Sequence, residues 1–392
     1  MNILFPINIQ NCIKTLEKHG YEAFCVGGSV RDLLMGNNPH DYDIASNAPP
    51  DEVAKIFDHT IPTGIAHGTV TVILNGDPVE ITRYRTDGKY EDYRRPKSVD
   101  FVDNLEADLS RRDFTINAIA YNPRTGIVDP YGGQMDIKLR KISCVGEPET
   151  RFREDALRIM RAFRFASQLG FNIEKETESA ALKCSDLLRE ISRERIFAEL
   201  QKLLSSCTPS AISSLVNHGG MEFCGLNPCE IPNEFNLIPL DISLRFAFLC
   251  KLCNADSALV LKNLKSDTAT LKEAKMFQNH LNSKLPTDFV KFKKLLLTLS
   301  LPQIKILLQG RKMMYGEDLD YTQKYLDIIE TEHHPFRISM LDITGNDLKD
   351  IGIAGCSIGD TLDYLLDICL VEPGFNKKAI LIEKSKQKLR LH

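Results

Sequence analysis

The chain has 392 residues, a formal net charge of −4, 43% hydrophobic residues and 26% charged residues. That length exceeds one ordinary core, so two to four domains are expected, and the near balance of charge excludes a protein that coats nucleic acid by bulk positive charge. No run of about 18 or more apolar residues is present, which excludes a membrane-spanning helix, and residues 1–20 lack the basic flank and apolar stretch of an export signal, so the 11 cysteines are expected as reduced thiols in the cytoplasm.

Residues 8–19 carry helical apolar spacing (Ile9, Ile13, Leu16) closed by Gly20. Residues 23–26 form a short apolar strand that runs into Gly27-Gly28. Ser29 is placed to cap the next helix, with Asp32 three residues on, and Gly36 to stop it. A strand is expected over 41–45 and a short helix over 49–57, with Pro50 near its start. Strands over 69–74 and 78–84 flank Asn75-Gly76-Asp77, a hairpin signal. From about residue 149 strands nearly vanish. Amphipathic helices are expected over 154–169, 177–188 and 192–204, and later helices are separated by loops bearing Pro or Gly. The fold class is therefore α+β, a mixed head over residues 1–147 followed by an all-helical remainder. Most cysteines sit in apolar patterns and read as small buried hydrophobes. Cys224, Cys229, Cys250 and Cys253 form a set to test for zinc, but their spacing is loose and buried structural thiols are the reading preferred.

Three segments carry chemistry. In Asp41-Tyr42-Asp43-Ile44 a strand would project both carboxylates to one side, where their repulsion asks for a cation. The alternative is a pair of solvated acids. Upstream, Gly27-Gly28-Ser29 followed by a helix is a seat for phosphate, with Arg31 as a fixed cation. Together these describe a nucleotidyltransferase core that binds Mg²⁺ through Asp41 and Asp43. Glu80, between Val79 and Ile81, either completes that site or faces solvent. Arg111-Arg112 before Asp113-Phe114-Thr115-Ile116-Asn117-Ala118 is suited to clamp a triphosphate or sugar, or to pair with Asp108 or Asp113. The third segment is Arg151-Phe152-Arg153-Glu154-Asp155-Ala156-Leu157-Arg158, with Arg161 and Arg164 continuing the row. An Asp/Arg pair three apart on a helix can read a base that carries an exocyclic amino group. The alternative is ordinary intrahelical ion pairing. Thr86-Asp87-Gly88 through Arg94-Arg95-Pro96 reads as a charged loop over the site.

These motifs, in this order, resemble those of the bacterial/eukaryotic class of tRNA nucleotidyltransferases, the CCA-adding enzymes. Similarity is dense over the first 200 residues and thinner beyond, where Gly345-Asn346-Asp347-Leu348 and Ile358-Gly359-Asp360 match the family's C-terminal region. The resemblance implies a head (1–147), a neck with a nucleotide-selecting helix (148–206), a body (207–300) and a tRNA-binding tail (301–392). It implies addition of C, C and A to the 3′ end of tRNA from CTP and ATP, with Mg²⁺, no template strand, and the acceptor arm as the RNA partner. A homodimer is compatible with it, and the expected location is cytoplasmic. Carried over by position, Asp41 and Asp43 bind metal and are catalytic. Gly28, Arg31 and Arg112 contact phosphate and sugar, Asp155 and Arg158 read the base, and Arg161 and Arg164 lie near the triphosphate. The loop from Asp87 to Arg94 helps switch from C to A. A poly(A) polymerase shares the head motifs and is the runner-up; a partial CC- or A-adding enzyme and a non-catalytic RNA-binding module are further alternatives. The His-Asp dipeptide His40-Asp41 lies within the head and His333-His334 reads as a surface helix end, so no phosphohydrolase activity is expected.

Overall fold

The computed structural model describes residues 5–39, 41–88 and 99–389. It divides into two units. One holds Met1–Pro232, Leu252–Ala255 and Leu259–Ser266; the other holds Asn233–Lys251, Asp256–Ala258 and everything from Asp267 on.

The first unit opens with helix α1 (Ile7–Lys18), whose Ile9, Cys12, Ile13 and Leu16 are buried. Strand β1 (Ala23–Val26) then delivers the chain to Gly27 and helix α2 (Gly28–Leu34). The expected cap by Ser29 is not made. Gly27 is the residue before the helix, at φ +73°, and the Ser29 hydroxyl donates instead to the Val26 carbonyl at 3.2 Å. Because Gly27 takes a positive φ that L side chains avoid, the helix is capped two residues earlier than a serine cap at 29 would place it. Gly36, at φ +79°, follows the helix end as expected.

Strand β2 (Asp43–Ser46) starts two residues later than expected, so Asp41 precedes the strand. Helix α3 (Pro50–Ile56) has proline in its first turn. Strands β3 (Thr60–Gly64), β4 (Thr69–Leu74) and β5 (Asp77–Arg83) follow, with Leu74 opposite Asp77 and Asn75 and Gly76 both at positive φ. That is the two-residue hairpin turn the Asn-Gly dipeptide favours. A short ladder joins β6 (Arg85–Asp87) to β7 (Val99–Phe101) at the base of the charged loop; the loop itself falls from residue 89 onward outside the described residues. After helix α4 (Leu105–Ser110) come β8 (Ala120–Asn122), β9 (Gly126–Val128) and helix α5 (Gly133–Leu139).

Seven strands form one sheet in the order β3-β4-β5-β2-β1-β8-β9. The pairing of β2 with β5 is parallel and the others antiparallel. Alternation divides its side chains. Ile44, Val79 and Ile81 pack with α1 in one cluster, Tyr42 lies against that cluster, and Val26 and Ala45 pack with Leu105 and Leu109 in another. By that period of two, Asp43 and Glu80 belong to the second face.

Gly133 shows how tightly α5 is seated. A Cβ there would lie 2.2 Å from the Thr115 carbonyl oxygen and 2.8 Å from Ile119. The Thr115 carbonyl cannot yield without moving the turn that carries Asn117, and the Ile119 side chain would have to shift as well. Gly133→Ala is expected to cost about 1–3 kcal/mol, read as a lowered thermal midpoint by circular dichroism.

Beyond the head, β10 (Lys141–Ile142) pairs in parallel with β11 (Asn172–Ile173), a two-residue ladder in otherwise helical chain. The helix expected over 154–169 is two helices, α6 (Pro148–Glu154) and α7 (Leu157–Leu169). The chain breaks at Asp155, whose φ −134° and ψ 103° are extended. Helices α8 (Lys175–Lys183) and α9 (Arg193–Leu204) complete this region.

The second unit is helical among the described residues, with long helices at Thr268–Leu281, Leu301–Tyr315, Asp320–Thr331, Ser357–Val371 and Lys378–Leu389. Its sequence signals are local and physical. Ser300 and Gln303 form a reciprocal capping box, as do Thr344 and Asp347. His334 corrects the surface reading: it is 6% exposed, with its ring near Phe289 and its Nε2 2.8 Å from Glu332. In the first unit, Cys224 and Cys253 are buried, Cys229 is half-buried, and the Cys229 and Cys253 sulfurs are 3.0 Å apart. Among the described residues no three His, Cys, Asp or Glu side chains gather as metal donors, so the zinc set does not form. No described helix is long and apolar enough to cross a membrane.

Candidate active site

The register of the sheet builds one wall of a cleft. Val26 lies opposite Asp43, which brings the Gly27-Gly28 turn beside the first residue of β2. Glu80 lies opposite Asp43 on the other side, through the parallel pairing with β5. Desolvation pushes the Asp43 carboxyl above the usual carboxylate range. The Arg112 guanidinium pulls it back, and the like charges of Glu80 and Asp41 add to the rise. Acidic charge is thus concentrated on this edge.

The cleft has a volume of about 760 Å³ and gathers Gly28, Arg31, Asp41, Asp43 and Arg112 from the head with Asp155, Arg158, Arg161 and Arg164 from the following helices. All nine site residues expected from sequence therefore line one cavity. Its lining counts eight Arg or Lys side chains against four aspartates, in a chain whose net charge is −4. Such local excess favours a polyanion.

Five of these arginines (Arg31, Arg111, Arg112, Arg161 and Arg164) are held by buried partners. Arg31 donates through Nε to Asp32 Oδ1 at 2.9 Å and through Nη1 to Asn117 Oδ1 at 2.7 Å. A Cβ on Gly27 would stand 3.0 Å from Arg112 Nη1, so the absent side chain is what lets that guanidinium approach the turn. Arg111 and Arg112 both donate to Asp108, which is 1% exposed. Burial alone would raise the Asp108 carboxyl, but Arg112 and Arg111 outweigh it and hold it below its ordinary value. The expected salt bridge and the cleft position are thus both realised. Arg161 donates through Nε to Asp113 Oδ2 at 2.8 Å, and Asp113 Oδ1 accepts from Asn117 Nδ2 at 3.1 Å. A continuous path therefore runs from Arg161 through Asp113 and Asn117 to Arg31. Arg164 pairs with buried Glu199 and stacks 3.9 Å from the Phe165 ring centroid, with Arg161 and Arg31 at 5.2 and 5.3 Å.

The Asp155/Arg158 pair differs from its sequence reading. The two do not share one helix surface, because Asp155 sits at the break. Its Oδ1 accepts the Leu157 N–H at 3.0 Å, capping α7, and its Oδ2 accepts from Arg195 Nη2 at 3.3 Å. Arg158 donates to Glu154, to the Arg151 carbonyl and to the Arg111 carbonyl. Both remain in the cleft. Asp113, Asn117, Phe165, Arg195 and Lys202 also line it without having been named as site residues from sequence. Asp113 and Asn117 stand in the segment that follows Arg111-Arg112, and their polarity within an apolar run is the available signal. Nothing local marks Arg195, 40 residues from its partner.

The strand-turn-helix, the acidic strand edge and the cationic cleft define a nucleotidyltransferase head. A family profile described as "Poly A polymerase head domain" matches residues 23–143, and one described as "Probable RNA and SrmB- binding site of polymerase A" matches 170–224. The chain is 46% identical over 272 residues to the CCA-adding enzyme of Geobacillus sp. (strain WCH70), covering 67% of each chain. It is 55% identical over 193 residues to that of Geobacillus thermodenitrificans (strain NG80-2), a match spanning about half of that relative, 48%. The solved structure of the Bacillus stearothermophilus CCA-adding enzyme in complex with CTP aligns with a TM-score of 0.83 at 32% identity, over 99% of this chain and 100% of that one. The chain belongs to the family of the CCA-adding enzymes.

Proposed function

We propose that this chain completes tRNA by adding C, C and A in turn to the 3′ end of the acceptor arm, with CTP and ATP as donors and pyrophosphate as product. The observation that carries this reading is the single cleft in which the acidic strand edge, the glycine turn and the Asp155/Arg158 segment meet. The division into head, neck, body and tail is retained as part of the proposal, as is a cytoplasmic location.

The donor set fits Mg²⁺. Asp41 and Asp43 offer hard oxygen ligands on an edge already burdened with like charge, which an oxygen-seeking divalent cation relieves. When bound there, Mg²⁺ supplies charge stabilisation to the attacking and leaving oxygens of an in-line displacement. The rest is work for this chain's own groups. The Gly27-Gly28 turn lets phosphate approach the backbone, and Arg31 and Arg112 neutralise the triphosphate beside it. The 3′ hydroxyl oxygen bonds to the α-phosphorus and its proton passes to solvent water. The bond from that phosphorus to the bridging oxygen breaks, and pyrophosphate departs with the electron pair. Asp155 accepts from the exocyclic amino group of cytosine or adenine, which uracil and guanine do not present at that edge. Arg158 spends three of its five N–H groups on Glu154 and two carbonyls, so two remain for the base. Arg161 and Arg164 stand on the same helix, placed for the phosphates.

The test is incubation of the purified chain with a tRNA that lacks its three terminal nucleotides. CTP alone is expected to extend it by two residues, ATP alone by none, and both together by three, read on a sequencing gel. A long adenylate tail from ATP would instead establish the poly(A) polymerase reading.

A further inference from the structure

Helix α9 stands behind the base-reading segment and touches it at two points one turn apart. Glu199 pairs with Arg164, and Arg195 pairs with Asp155. Residues at i and i+4 share a helix face, so one face of α9 fixes both ends of the row along α7. Arg195 does this at a cost. Its Nη1 is shielded from water and has no hydrogen-bond partner among the described residues. A stranded buried donor is unfavourable, and here it belongs to the guanidinium that holds Asp155.

We infer that Arg195 is a specificity-determining positioning residue, which fixes the Asp155 carboxylate so that its free lone pairs meet the amino group of the incoming base. The inference rests on the reading of Asp155 as the base-contacting acid. The carboxylate torsion of aspartate is broad and roughly two-fold, so an unheld Asp155 samples many orientations. Oδ1 is fixed by the Leu157 amide and Oδ2 by Arg195, which leaves a defined pair of acceptor directions. The neighbouring guanidinium of Arg158 does not perform this task, because the bonds it makes go to Glu154 and to backbone carbonyls. Loss of Arg195 lets the carboxylate rotate or recruit water, and the site then tolerates a base edge that presents a carbonyl.

First-nucleotide addition by the full chain to the truncated tRNA tests this, with CTP and UTP varied separately. Arg195→Met is expected to lower the CTP-over-UTP ratio of kcat/KM about tenfold, chiefly through a higher KM for CTP. Arg195→Lys should fall between the two, about threefold below the parent. In an Asp155→Ala background the Met substitution should change the ratio no further. An unchanged ratio in Arg195→Met, while Asp155→Ala still relaxes discrimination, overturns this inference and leaves the function standing. An unchanged ratio in Asp155→Ala overturns the role of Asp155 and the inference with it. A uniform loss of kcat with the ratio retained assigns Arg195 a structural role alone and also overturns it. Should Arg195→Met fail to fold, Arg195→Lys decides by the same ratio.

Discussion

Asp41→Ala and Asp43→Asn are expected to abolish addition of all three nucleotides, by about 10³-fold or more, in single-turnover assays on truncated tRNA. The physical reason is that both carboxylates stand at the acidic edge of the cleft. The other two aspartates of the cleft are already engaged, Asp113 by Arg161 and Asn117 and Asp155 by Arg195 and the Leu157 amide, and Glu80 is not gathered with the pair into a three-donor set among the described residues. The same substitutions should leave the fold intact. Asp43 is exposed at the start of β2, yet desolvation of its carboxyl and the charges of Glu80 and Asp41 outweigh the pull of Arg112, so a neutral side chain at 43 relieves repulsion. Asp43→Asn is therefore expected to melt no lower than the parent while being inactive. Activity above about a tenth of the parent value would sink the metal assignment.

Asp113→Asn should have the largest effect on stability. Asp113 is 8% exposed and holds Arg161 on one oxygen and Asn117 on the other. Burial would raise its carboxyl, but the Arg161 charge, the Asn117 and Arg161 hydrogen bonds and the Arg158 charge together drive it well below the ordinary aspartate value. Removing one partner of such a pair leaves a poorly solvated guanidinium, at about 3 kcal/mol. The sign of the pH dependence follows. A carboxyl lowered in the folded state contributes stability in full above its unfolded value of about 4, and that contribution fades as pH falls from there toward the lowered folded value. Thermal melts of parent and Asp113→Asn should thus differ most near neutral pH and converge below about pH 4. A gap that stays constant down to pH 2.5 would refute the assignment of that stability to Asp113. Because Asn117 also holds Arg31, the variant is expected to bind CTP more weakly as well.

Much of the head was legible because its signals are local. The Asn75-Gly76 turn, the glycines after β1 and the period of two along residues 43–45 each reflect sterics within a few residues, and the structure realises them, although the strand expected from residue 41 begins only at Asp43. The apolar flanks of Glu80 left it open between the site and solvent, and only the parallel pairing of β2 with β5 puts it opposite Asp43. The failures share a cause. Ser29 looked like a cap because the left-handed φ of Gly27 is invisible in one-dimensional spacing. A continuous helix through Asp155 looked sound because periodicity does not register a single extended residue that exchanges helix continuity for a cap and an ion pair.

By itself the sequence determined which chemical groups the chain carries: two carboxylates one residue apart, a glycine turn before a helix, tandem arginines and an acidic residue ahead of an arginine row. Those are choices of side chain at short spacing, and short spacing is fixed by backbone geometry. Tertiary structure alone decided the pairing of those charges. Arg161 with Asp113, Arg164 with Glu199 and Arg195 with Asp155 join residues 48, 35 and 40 positions apart. An arginine has many acidic residues it could reach in an unfolded chain, and only the packing of helices and sheet removes the water that makes those alternatives equivalent.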